Sequence, residues 1–324
     1  MPEQAAAAGR AGMAGDDRVP VLNAAVAGRL RAAGLDPVNV AAIVTGALTE
    51  DLAGGTDVTT AATVPSAAHG SADLISRTAG VVAGLPVAEA VFWLASADLQ
   101  CAAQAADGDA VAPGQPVLRV TGPVAPMLTA ERTALNLLCH LSGIATLTSK
   151  WVDAVAGTGA VIRDTRKTLP GMRALQKYAV RCGGGCNHRM SLSDAALVKD
   201  NHVAAAGSIA AAFAAVRAWA PRLPVEVECD TLAQVADALA AGADLILLDN
   251  FDLATMADAV RLTGGRAMLE ASGGLSLATA RAIAQTGVDY LAVGALTHSA
   301  PALDIGLDLV LADQDDRDRH ATDH

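Results

Sequence analysis

Between Val161 and His202 the chain reads VIRDTRKTLPGMRALQKYAVRCGGGCNHRMSLSDAALVKDNH, gathering Arg163, Arg166, Lys167, Arg173, Lys177, Arg181, His188, Arg189 and Lys199. The whole sequence leans the other way, with 34 acidic against 23 basic residues and a formal net charge of -11. Cations concentrated on one surface of an acidic protein raise the local concentration of an anionic ligand and hold it. Arg166, Lys167, Arg189 and Lys199 suit carboxylates and phosphates, and arginine grips either through paired N–H bonds. The complementary residues are Glu228 and Asp249, hard oxygen donors of the kind that Mg2+ takes directly or through water. Together they suggest a phosphorylated sugar with its metal beside an organic anion held by arginines.

These residues fall at the ends of short apolar runs. The runs are 160–164, 195–199, 225–228, 245–249, 267–270 and 290–293. Alanine-rich helical segments lie between most of them, at 172–180, 209–219, 232–240, 253–262 and 277–285. Strands alternating with helices predict a parallel sheet. Six strands fall short of the eight of a closed barrel, so the expectation is an open, incomplete (β/α) barrel, with a doubly wound sheet as the alternative. In barrels the active site gathers at the carboxyl ends of the strands. Here those ends carry Arg163 to Lys167, then Lys199 to His202, then Glu226, Glu228 and Asp230, then Asp249 and Asn250, then Glu270. Two late turns, Ser272-Gly273-Gly274 and Val293-Gly294-Ala295, are placed to cup a terminal phosphate with backbone N–H groups.

The preceding half is quieter. Residues 21–44 show helical spacing broken at Gly34 and Pro37, and 50–60 read as a polar loop. From Ala72 to about Pro126 the pattern is β-type with one helix at Pro86 to Leu94, a small α+β domain. Thr129 is expected to cap a long helix running to about Val155, on which Arg132, Asn136 and His140 share one face. The closing segment from Ala302 to Ala312 has helical or mixed periodicity and is expected to pack back on the first domain. The resulting division is a leader at 1–20, an α+β domain at 21–128, the barrel at 129–297, the return segment at 298–312 and a solvated tail at 313–324.

Composition limits the classes. A pI near 5.0 argues against general nucleic-acid binding, and no run of some eighteen uncharged apolar residues indicates a membrane span. Cys101, Cys139, Cys182, Cys186 and Cys229 are odd in number and scattered, which suits a reducing cytoplasm better than a disulfide framework. Cys182, Cys186 and His188 form C-x3-C-x-H without a second ligand pair, so a tight loop is preferred to a zinc site.

ERTALNLL-x-HLSGIAT, RDTRKTLPG, GGG-x-NHR, KDNH, EVEC, LLDN and ASGG-x-S occur in one order and spacing that resembles quinolinate phosphoribosyltransferase, over roughly residues 21 to 312. The resemblance implies an α/β N-terminal domain, an open barrel and a homodimer, or higher oligomer, with shared active sites. It implies transfer from 5-phosphoribosyl 1-diphosphate to quinolinate with loss of CO2, using Mg2+ and no organic cofactor. On that pattern Arg166, Lys167, His188, Arg189 and Lys199 line the quinolinate pocket, and Arg132 reaches in from a partner subunit. Lys167, Lys199, Glu228 and Asp249 are the catalytic candidates. Glu228 and Asp249 face ribose and metal, while Ser272, Gly273, Gly274, Val293, Gly294 and Ala295 take the 5-phosphate. A molybdenum-system paralogue and a Schiff-base aldolase using Lys199 are the rival readings.

Overall fold

The protein's structure, a computed structural model, describes residues 21–312. The expected leader and tail lie outside the described residues. The first helices follow their capping side chains. Asn23 accepts from the Val26 N–H at 2.8 Å to cap α1 (Ala24–Ala32), and Asp36 caps α2 (Pro37–Leu52). Pro37 fits the first turn because its missing N–H would have no helical partner there. The loop expected over 50–60 shrinks to 53–57, since α2 runs to Leu52 and Asp57 caps α3 (Val58–Thr63).

Next come β1 (His69–Ser76), β2 (Gly80–Val81), α4 (Leu85–Ala95), β3 (Gln100–Ala103), β4 (Ala110–Val111) and β5 (Pro116–Pro123). In β1, Gly70, Ala72, Leu74 and Ser76 are buried and the residues between them are not, the period of two that a one-sided sheet requires. The sheet order is β12-β1-β5-β3, where β12 is Ile305–Leu311. The return segment therefore does pack back on the first domain, but as an antiparallel strand, pairing Ser76 with Ile305 through Gly70 with Leu311. Its alternation of Ile305, Leu307 and Leu309 with Gly306, Asp308 and Val310 suits one face of a sheet, and Asp308 pairs with Arg77.

The long helix α5 (Val124–Val155) begins five residues before the expected cap at Thr129. Pro126 does not stop it, because prolines are tolerated in the first turn, where N–H groups lack intrahelical acceptors. Thr129 instead bonds back to the Ala125 carbonyl and to Asp57. α5 packs against α4 on one side and against barrel helices on the other. Leu138, Leu141 and Ile144 at its centre are fully buried, each contributing roughly 2 kcal/mol by removal from water.

The barrel consists of β6 (Val161–Arg163), α6 (Arg173–Cys182), β7 (Ala196–Val198), α7 (Asp200–Ala206), α8 (Ile209–Trp219), β8 (Val225–Cys229), α9 (Leu232–Ala240), β9 (Leu245–Asp249), α10 (Leu253–Thr263), β10 (Met268–Ser272), α11 (Leu277–Ala284), β11 (Tyr290–Ala292) and α12 (Ala295–His298). Its strands are all parallel in the order β6-β11-β10-β9-β8-β7. From β7 to β11 neighbours run in sequence, and the first strand, β6, closes on the last, β11, as in a barrel and without the reversal that defines a doubly wound sheet. Closure between β6 and β7 is missing, so the barrel is open there, and the chain that connects this pair is the basic stretch itself. Among the described residues no single helix is long and apolar enough to cross a membrane.

Candidate active site

Strand alternation decides which charges meet. In β8, Val225, Val227 and Cys229 are buried towards the helices, so Glu226 and Glu228 share the opposite, inner face. By the same period Leu247 and Asp249 of β9, and Glu270 and Ser272 of β10, point inward. Leu197 of β7 and the following Lys199 join them. Glu228, Asp249, Ser272 and Lys199 form an outer layer near the strand ends. Arg163, Glu226 and Glu270 form a deeper one.

A cavity of about 430 Å3 occupies the mouth, lined by Arg166, Lys167, His188, Arg189, Lys199, Glu228, Asp249 and Ser272, together with Thr165, Leu197, Leu247, Glu270 and Ala292. A second cavity of about 180 Å3 shares Lys167 and Ser272 and is walled by Gly273, Gly274, Val293, Gly294 and Ala295. Every expected site residue except Arg132 is thus brought to one of two adjoining cavities. Arg132 is exposed on α5 and lines neither. Leu197, Leu247, Glu270 and His298 were not assigned to the site from sequence. Alternation from Glu228 and Ser272 would have found the carboxylates, whereas His298 carries no pattern beyond its place in the last short helix.

The loop that carries His188 and Arg189 is bolted from beneath. Lys177, expected on a supporting helix, is there but fully buried, pairing with the equally buried Asp164. Its ammonium also donates to the carbonyls of His188 at 2.8 Å and Arg189 at 3.0 Å. Asp164 in turn accepts from the His188 N–H at 2.9 Å and from Asn187. Burial pushes the Asp164 carboxyl up and the Lys177 ammonium down, each opposed by the other's charge. The adjacent Gly183 is needed for close approach, since a side chain there would run into the Ala145 carbonyl of α5.

The two walls differ in charge. Among the described residues Arg166, Lys167 and Arg189 have no ion-pair partner. Arg189 donates to the Ala195 carbonyl at 3.0 Å, and burial with the neighbouring Arg166 cation pushes its guanidinium below the ordinary range. Such a pair is uncompensated until an anion arrives. Opposite, Lys199 bonds to Glu228, and Asp249 accepts from Asn250 at 2.8 Å. Asn250 takes a left-handed φ of 56° and its N–H donates to the Ser272 carbonyl, tying the ends of β9 and β10 together. Gly273, with φ of 85°, lies against that asparagine, where a side chain would overlap it.

Cys182 and Cys186 are unbridged. His188 turns its ring away from zinc chemistry with them and towards Glu226 at 2.7 Å and Glu270 at 3.4 Å. Glu270 also accepts from Arg163 at 2.6 Å. Burial, reinforced by the Glu226 charge, pushes the Glu270 carboxyl up to about 7.

Comparison with known families matches this architecture in both halves. Residues 57–142 match the model of the quinolinate phosphoribosyl transferase N-terminal domain, and residues 144–308 match that of the C-terminal domain. The chain belongs to the quinolinate phosphoribosyltransferase family. It is 56% identical over 270 residues to the nicotinate-nucleotide pyrophosphorylase (carboxylating) of Mycobacterium leprae, covering 81% of this chain and 94% of that protein. The corresponding probable enzyme of Bacillus subtilis is 41% identical, covering 75% of this chain and 84% of its own. Among solved structures, NadC from Streptococcus pyogenes superposes with a TM-score of 0.83 at 42% identity, covering 86% of this chain and 99% of that one. The two family models together run from residue 57, before the first sheet, to residue 308, within β12.

Proposed function

We propose that this protein transfers the phosphoribosyl group of 5-phosphoribosyl 1-diphosphate to quinolinate, releasing diphosphate and CO2 and leaving nicotinate mononucleotide, a step of de novo NAD biosynthesis. One observation carries the assignment of the site. Among the described residues Arg166, Lys167 and Arg189 stand without ion-pair partners across a single cavity from the carboxylates of Glu228 and Asp249. Quinolinate is a dianion with adjacent carboxylates and needs several uncommitted cations. The sugar diphosphate places its 5-phosphate in the glycine-walled second cavity, beside Lys167 and His298.

The chemistry balances with these groups. The bond from the anomeric carbon to diphosphate breaks, and the positive charge that develops is stabilised by Glu228 and Asp249. The pyridine nitrogen supplies the electron pair of the new N–C bond, leaving the ring cationic. That ring accepts the electron pair of the C2–carboxylate bond as CO2 departs, and C2 then takes up a proton. The enzyme supplies position and field, with no covalent nucleophile. Glu228 and Asp249 fit Mg2+, which is commonly held by one or two carboxylates plus substrate phosphates, and which when bound makes diphosphate a better leaving group. Arg132, exposed and lining neither cavity, serves the site of a partner subunit in a homodimer. A Schiff-base role for Lys199 is disfavoured, because it is committed to Glu228 rather than bare in an apolar pocket.

The test is stoichiometric release of CO2 and diphosphate from quinolinate carrying a labelled 2-carboxylate, with Mg2+ and the sugar diphosphate present. Equal yields support the proposal. Diphosphate release without CO2, or equal turnover of the monocarboxylate nicotinate, would refute it.

A further inference from the structure

His188 lines the quinolinate cavity, yet both of its ring nitrogens are already engaged. The Arg189 N–H donates to Nδ1 at 2.7 Å, and Nε2 faces Glu226 at 2.7 Å and Glu270 at 3.4 Å. A nitrogen that accepts an N–H bond bears no proton, so the ring's proton is on Nε2, donated to Glu226. Glu270 is committed to Arg163, which donates to it at 2.6 Å. Glu226 is 2% exposed, and among the described residues its one hydrogen-bond partner is His188, its Oε1 having none. Burying such a group is costly unless it serves a partner, and the partner Glu226 faces is His188.

We propose that Glu226 is a positioning residue of the quinolinate pocket, which holds the His188 proton on Nε2 while the Arg189 N–H occupies Nδ1, and so denies the substrate any N–H from this ring. The inference rests on the pocket assignment made above. Its consequence is that the dianion is gripped by Arg166, Arg189 and Lys167, while His188 offers only an uncharged edge. The ring also stands as a spacer between the cavity and Glu226, which does not line it. A carboxylate of the substrate is thereby kept from the buried charge of Glu226. His188, Glu226 and Glu270 hold ligand atoms within 4.8 Å of one another, the spacing of a metal site. The bare Nδ1 argues against metal: a neutral histidine ligating through Nε2 must carry its proton on Nδ1, where the Arg189 N–H already points.

Two measurements on the full chain test this. In enzyme labelled with 15N-histidine, the His188 resonances, assigned by their loss in His188→Gln, should show one protonated and one bare nitrogen, with the proton on Nε2. That pattern should persist when quinolinate is added. Two protonated nitrogens in the quinolinate complex, or a proton on Nδ1, would overturn the proposal without recourse to any variant. In kinetics, Glu226→Leu should raise the quinolinate KM about tenfold while leaving the KM of the sugar diphosphate in place, since it frees the ring from one buried bond. Glu226→Gln, which still accepts from Nε2, should recover most of that loss. A flat response to Glu226→Leu where His188→Ala does raise the quinolinate KM overturns this inference alone. A flat response to His188→Ala removes His188 from the pocket and takes the underlying assignment with it.

Discussion

Lys177→Met removes a charge that no solvent can replace. Lys177 and Asp164 are both fully buried, and the lysine holds Asp164 and two carbonyls of the loop bearing His188 and Arg189. Breaking a buried pair from one side typically costs about 3–5 kcal/mol. Asp164 keeps its bonds from the His188 N–H and Asn187, which places this loss near the lower end, about 3 kcal/mol. For a chain of this size that lowers the melting temperature by about 4 °C. The pH dependence has a fixed sign. Burial already raises the Asp164 carboxyl, and without its lysine it rises further. A carboxyl raised on folding keeps its proton in the native state after the unfolded chain has lost it, so stability is complete below the unfolded value and drains as pH climbs through the folded one. The deficit should therefore be greater at about pH 8 than at about pH 5. Scanning calorimetry across that range measures it. Adding Asp164→Asn should restore part of the loss by removing the stranded charge. A melting temperature within about 1 °C of the parent at the higher pH would show that the pair is not holding the loop.

Other expectations concern the site directly. Arg166→Ala or Arg189→Ala should weaken quinolinate binding by about tenfold to a hundredfold, with a much smaller effect on the sugar diphosphate; isothermal titration with each ligand measures both. Equal losses would contradict the division of the walls. Mixing Arg132→Ala with Lys199→Ala subunits should restore activity, because a mixed dimer contains one unaltered mouth; no recovery in dimers shown to be mixed rules out a shared site. Gly273→Ala should raise the KM of the sugar diphosphate by about tenfold, through left-handed strain and overlap with Asn250, while quinolinate affinity stays in place.

The barrel was legible because short apolar runs and charged strand ends mark parallel strands and their mouth. Glu226 and Glu270 were visible as strand-end charges, but their depth was not. Only the inward phase shared by Glu226 with Glu228, and by Glu270 with Ser272, reveals a second charged layer below the first. The start of α5 was hidden by Pro126, a breaker in a helix interior but harmless in a first turn. Segment 302–312 misled because its strand is half-exposed, and its pairing partner lies more than 200 residues away at β1. Arg132, Asn136 and His140 do share α5 as their spacing required, but spacing says nothing about which subunit's cavity Arg132 serves.

The family's two domain models meet at residues 142 and 144, inside α5, where Ser142, Gly143 and Ile144 are buried. A boundary defined by ancestry thus cuts through the middle of an unbroken shaft. Neither half can be excised there without opening the most deeply packed turn of the helix to water. The shaft also places no break between the antiparallel sheet and the barrel at this boundary. Heating should accordingly melt sheet and barrel together, as one calorimetric transition, despite the two families of contacts that the sequence models describe.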